Sequence, residues 1–161
     1  MKIWADADSL PRAVREFILR RQGSSFVPGE TIELRFVASR PVPGLEPPLL
    51  LEVQPGPDAA DSAILEGAAP GDLVITRDVV FAEKALLSGL ACINDRGDIF
   101  DAASVSERRS LRDAAAELRK LGLAPDSPRG SGRSAAELKR FADALEKTLV
   151  ALKKKKTQSR G

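Results

Sequence analysis

Five short apolar segments, "IWA" (residues 3–5), "TIELRFVAS" (31–39), "LLLEV" (49–53), "LVIT" (73–76) and "ACIN" (91–94), are interleaved along the chain with helical patterns, except that a rigid proline-rich connection, "RPVPGLEPP", joins the second to the third. Strands separated by helices cannot pair through tight hairpins. Each must return by a crossover, which is right-handed and leaves the strands parallel. "LVIT" is apolar throughout, as a strand buried on both faces requires, whereas "TIELRFVAS" alternates Ile32, Leu34 and Phe36 against Glu33 and Arg35. The expected class is therefore α/β, with a mainly parallel sheet covered by helices on both sides.

The helical patterns are equally legible. Ser9 is placed to cap a first helix running to about Gln22, with Pro11 in its first turn and Val14, Phe17 and Ile18 on one face. A second helix carries Ile64 and Leu65 inward, and a third, after Asp78, carries Phe81, Ala85 and Leu86. "DRGDIFD" reads as a loop. Two longer patterns follow, residues 104–121 with Val105, Leu111, Ala115 and Leu118, and residues 134–152 with Leu138, Phe141, Leu145 and Leu149. "GLAPDSPRGSGRS" between them has linker composition. One domain over residues 1–152, helical over 104–152, and a basic, disordered tail over 153–161 are expected. No apolar run reaches the roughly 18 residues of a membrane span, and Asp6 arrives too early for a secretory signal, so a cytoplasmic protein with no membrane partner is expected.

Absent residues narrow the chemistry further. The chain has no histidine and no tyrosine, which removes histidine general bases, serine-histidine and cysteine-histidine hydrolases, and histidine zinc sites. Its one cysteine, Cys92, lies in an apolar run and reads as a small buried hydrophobe. Carboxylates without histidine favour a hard cation held by oxygen, magnesium or manganese.

In parallel α/β sheets ligands gather at the carboxyl ends of the strands, where strand order reverses. Asp6 and Asp8 follow the first strand, and Asp78 follows "LVIT". If these strands are neighbours, the carboxylates converge and repel until a proton or cation intervenes. Asp61 can reach the same edge from the second helix. Asp58 opens that helix and reads first as its cap, while Asp95 follows the next strand inside a glycine-containing turn. Thr76 is placed to bond a carboxylate, and Arg12, Arg77 and Arg96 to hold phosphate oxygens. Asp72 precedes "LVIT" and falls at the opposite end.

The blocks "WADADSLP", "GPDAADSAI", "GDLVITRDVVFAEKALLSG", "NDRG", "RRSLRDAAAELRKLG" and "RFADALEK" occur in an order and spacing that resembles the YaiI/YqxD family of uncharacterised bacterial proteins, over residues 2 to about 147. That family resembles PIN-like nucleases, which implies a three-layer α/β/α sandwich with an acidic, magnesium-binding pocket. By position the resemblance assigns Asp6, Asp61 and Asp78 to that pocket, with Asp8 as a fourth acid, and matches Arg112 and Asp113 to a family "RD" pair. Ser9 and Leu10 stand where relatives usually show alanine-cysteine, and Asp95 stands where they usually show proline.

Three functions compete at this stage. The first is a magnesium- or manganese-dependent nuclease acting on RNA or single-stranded nucleic acid through Asp6, Asp8, Asp61 and Asp78. The second is a non-catalytic metal- or partner-binding module, and the third a haloacid-dehalogenase-type phosphatase using "DADSL". Residues 153–161 carry five basic residues and no acid, leaving a mildly acidic body and a tail suited to a polyanion. Homo-oligomerisation is not readable from the sequence.

Overall fold

The computed structural model describes residues 1–22, 27–29, 31–123 and 134–159. Its strands are β1 (Lys2–Asp6), β2 (Glu33–Ala38), β3 (Leu50–Glu52), β4 (Leu73–Ile75), β5 (Ala91–Ile93) and β6 (Ile99–Phe100). Its helices are α1 (Arg12–Gln22), α2 (Ala59–Gly67), α3 (Val79–Leu87), α4 (Ala102–Lys120) and α5 (Ala135–Gln158). The strands form one sheet in the order β3-β2-β1-β4-β5-β6, parallel except for β6. The chain winds outward from β1 to β3, then returns to β4 on the other side of β1. Strand order thus reverses between β1 and β4, where Ala5 is in register with Ile75.

Side-chain alternation divides the core into two layers. Ile3 and Ala5 of β1 face α1 and α5, whose Val14, Ile18, Phe141, Leu145 and Leu149 complete one cluster. Trp4 faces the opposite side, where Ile64 of α2, Phe81 and Ala85 of α3 and Val105 of α4 form the second. The result is the three-layer α/β/α arrangement. Among the described residues no helix is long and apolar enough to cross a membrane.

Four local expectations are corrected. Ser9 does not cap α1; its hydroxyl donates to the Asp6 carbonyl at 3.4 Å, and the helix starts only after Pro11, whose carbonyl accepts from Val14 and Arg15. "DRGDIFD" contains a strand, because Asn94 folds the chain back on itself. Its Oδ1 accepts from the Arg96 and Asp98 amides, both at 2.9 Å, and β6 pairs antiparallel with β5. Of the α4 residues expected inward only Val105 is buried, with Leu111 64 % and Leu118 46 % exposed. Finally, α5 does not stop at residue 152 but continues to Gln158, so residues 153–158 are helical. Lysine is a good helix former, and basic side chains near a helix carboxyl end oppose the macrodipole favourably. The linker over residues 124–133 lies outside the described residues.

Asp72, at the far end of β4, is a structural staple. Its buried carboxylate accepts from Lys2 N at 2.7 Å, Ala69 N at 3.0 Å and Trp4 Nε1 at 3.4 Å, tying the turn before β4 to β1. Asp72→Ala is expected to lower the unfolding free energy by about 2 kcal/mol, since it leaves buried N–H groups without acceptors. Urea denaturation checks this, and an unchanged midpoint would refute it.

Candidate functional site

Three elements deliver one carboxylate each to the edge where strand order reverses. Asp6 ends β1 and is 8 % exposed. Its Oδ1 accepts from the backbone N–H of Asp8 at 3.1 Å and of Ser9 at 3.4 Å, so the tight turn after β1 holds one oxygen in place. Asp78 caps α3, its Oδ1 accepting from Val80 N at 2.8 Å and Phe81 N at 3.2 Å. Thr76, fully buried, accepts from the Asp78 amide at 3.0 Å and fixes the approach to that helix. In both aspartates Oδ1 is committed to backbone, and no described hydrogen bond engages Oδ2.

Asp61 lies in the first turn of α2, near enough to feel these charges. Burial, followed by the negative charges of Asp78, Asp6 and Asp58, pushes its carboxyl from 3.8 up to about 6, against a smaller opposing effect of Lys84. The folded chain therefore holds the Asp61 proton more firmly than the unfolded chain does. Stability from this group is highest in acid and falls as pH rises from about 3.8 to about 6. Asp61→Asn is expected to stabilise the metal-free protein at pH 7.5 by about 1 kcal/mol, a figure discounted because the group is partly solvated. Parallel urea titrations at pH 4 and 7.5 test it: the gain should vanish at pH 4, and equal gains at both would overturn this electrostatic account.

The other expected residues go elsewhere. Asp8 turns toward the end of β2, where its Oδ2 accepts from Ser39 N at 2.7 Å and Ser39 Oγ at 2.8 Å and its Oδ1 lies 3.5 Å from Arg40 Nε. A carboxylate held this way braces two strand ends. Asp58 stands at the N-cap of α2, but its left-handed backbone, φ 55°, prevents a side-chain cap bond, and it faces Lys84 Nζ at 3.8 Å. Asp95 is buried and pairs with Arg77 at 3.5 Å, so that arginine is engaged by the neighbouring loop. Arg12 is paired with Glu16 at 2.6 Å, and Arg96 is exposed on the turn between β5 and β6. Arg112 and Asp113 are exposed on α4. The thiol of Cys92 is buried, which pushes its pKa up to about 12 and leaves it inert as a nucleophile.

Sequence reasoning missed Ser39, Arg40 and Lys84. The first two were findable by the same rule that selected the aspartates, since they follow a parallel strand at its carboxyl end. Lys84 was not, because it reaches the edge from a full turn and a half inside α3. Among the described residues no group of three acidic or cysteine side chains is arranged to hold a metal ion.

The comparisons name a family and no chemistry. The model of an uncharacterised bacterial family, YaiI/YqxD, matches residues 4–151. A UPF0178 protein of Treponema pallidum is 39 % identical over 154 residues, covering 94 % of this chain and 83 % of its own. A UPF0178 protein of Geobacter sulfurreducens is 38 % identical over 152 residues, covering 92 % and 96 %, and one of Pseudomonas fluorescens is 34 % identical over 154, covering 94 % and 97 %. No solved structure matches the chain. With the family model spanning nearly its whole length, the chain belongs to the YaiI/YqxD family.

Proposed function

We propose that this protein is a magnesium- or manganese-dependent nuclease that hydrolyses a phosphodiester bond of RNA or another single-stranded nucleic acid, with Asp6, Asp61 and Asp78 as metal ligands. One observation carries the reading: three carboxylates from β1, α2 and the start of α3 approach each other at the edge where strand order reverses. Two of them are anchored through one oxygen, with no described contact at the other.

The donor set suits a hard divalent ion, since it is all carboxylate. The crowding that raises Asp61 is what such an ion relieves. When bound, it would polarise the phosphodiester and lower the pKa of a water. The chain's own part is to hold Asp6 and Asp78 through backbone N–H groups, while Asp61, mostly ionised at neutral pH, would move toward them to complete the set. That movement is required, because the described side chains do not enclose an ion as they stand. The same fact favours the alternative of a binding module without turnover. The phosphatase alternative gains nothing, as Asp72 is committed to β1 at the opposite edge.

The test is cleavage of end-labelled RNA, single-stranded DNA and duplex DNA with magnesium, manganese or a chelator. Metal-dependent cleavage of single strands is the expected result. Absence of turnover with every substrate and both metals would overturn the nuclease reading and leave the binding module.

A further inference from the structure

The lysine run lies at the end of the molecule remote from the acidic edge. Gly97, in the turn after β5, approaches the backbone of Arg140 and Phe141, which places the early part of α5 at the acidic edge. From residue 140 to 153 the helix advances about 20 Å, more than the roughly 16 Å length of β1. Lys153 Nζ accordingly donates to the Pro28 carbonyl at 2.7 Å, in the α1-to-β2 connection at the amino end of the sheet. Residues 153–158 therefore extend past the edge opposite Asp6 and Asp78.

Two features coincide there. An open groove of about 540 Å³ is lined by Val27, Pro28, Val150, Lys153, Lys154 and Thr157, and its walls are largely apolar. Lys153 and Lys154 line it, Lys155 and Lys156 continue the run on the same turns, and no acidic residue lies between Lys147 and Ser159. Successive helical residues are about 100° apart, so four consecutive lysines encircle the helix instead of forming one stripe. One or two basic residues would suffice to offset the macrodipole.

We infer that this pole is a second, non-catalytic binding site for single-stranded nucleic acid, with phosphates on the lysines and a base in the groove. Charge complementarity selects a polyanion, and the apolar groove selects one that presents unpaired bases. A flat anionic membrane fits poorly: lysines radiating around a helix, with Val150 as the exposed apolar residue of that turn, give no one-sided amphipathic face. The inference goes beyond the proposed hydrolysis and does not rest on it.

The test is fluorescence anisotropy of a labelled 20-nucleotide RNA, its duplex, and vesicles of phosphatidylglycerol, with the full chain in chelator so that the acidic edge is silent. Single strands should bind at least fivefold tighter than the duplex. Affinity should fall with salt at a slope of about −0.7 per phosphate neutralised. Lys154→Gln, Lys155→Gln and Lys156→Gln together should weaken binding at least tenfold and flatten the slope by about 2. Circular dichroism verifies that α5 persists, and Glu146→Gln, which removes an acid one turn before the groove, should bind as tightly or tighter. Unchanged RNA affinity in the triple variant, equal binding of the duplex, or binding to vesicles alone would each overturn the inference. Loss of cleavage with binding intact would fault only the acidic edge.

Discussion

Asp6→Asn and Asp78→Asn are each expected to reduce metal-dependent cleavage at least 100-fold, about 2.7 kcal/mol of transition-state stabilisation. Both substitutions are nearly isosteric and change charge more than shape. Asparagine at residue 6 can still accept from the Asp8 and Ser9 amides, and at residue 78 it still caps α3, since asparagine is as good a cap as aspartate. Melting temperatures should therefore stay close to the parent's, and the loss should appear in kcat more than in KM. Asp78→Ala provides the contrast, because it removes charge and cap together and adds about 1 kcal/mol of instability. Cleavage that survives both asparagine variants would end the nuclease proposal, whatever their folding behaviour.

The largest stability effect is expected at Gly97. Its φ of +86° is disfavoured for any residue with a side chain, and a Cβ there would sit 2.5 Å from the Arg140 carbonyl oxygen and 2.9 Å from Phe141 N. These are backbone atoms of α5, which cannot rotate aside as a side chain would. Gly97→Ala must therefore twist the turn or push the helix outward, disturbing the fully buried Phe141 and its edge-on contact with Phe17. We expect a loss of about 4 kcal/mol from backbone strain and overpacking together. Thermal and urea unfolding measure it, and a loss below about 1 kcal/mol would mean that α5 is not seated as described.

The parallel sheet was legible because "LVIT" and "ACIN" are too short and too apolar to be surface elements, and a helical pattern precedes each of them. That logic also put Asp6 and Asp78 at one edge before any coordinates. It failed where geometry depends on side-chain direction. Asp8 is two residues from Asp6, and nothing in "DAD" says that the second carboxylate turns to Ser39, thirty-one residues away. Periodicity misled at α4 because Leu111 and Leu118 recur as core residues do, while the sheet is already covered by α2 and α3. The lysine run was taken for a tail because composition does not reveal that capping and packing from Ser134 to Leu149 would carry a helix through it.

The second half of α4 has an unequal hold on the molecule. Val105 is seated in the core and Arg109 is tied to Glu83 at 2.5 Å, yet beyond them Leu111, Leu118 and Leu121 stand in solvent among the described residues. Little apolar surface is released when those turns unwind, so their amides exchange with deuterium through local fraying instead of whole-molecule opening. A protection boundary should fall near residue 110, within a single continuous helix.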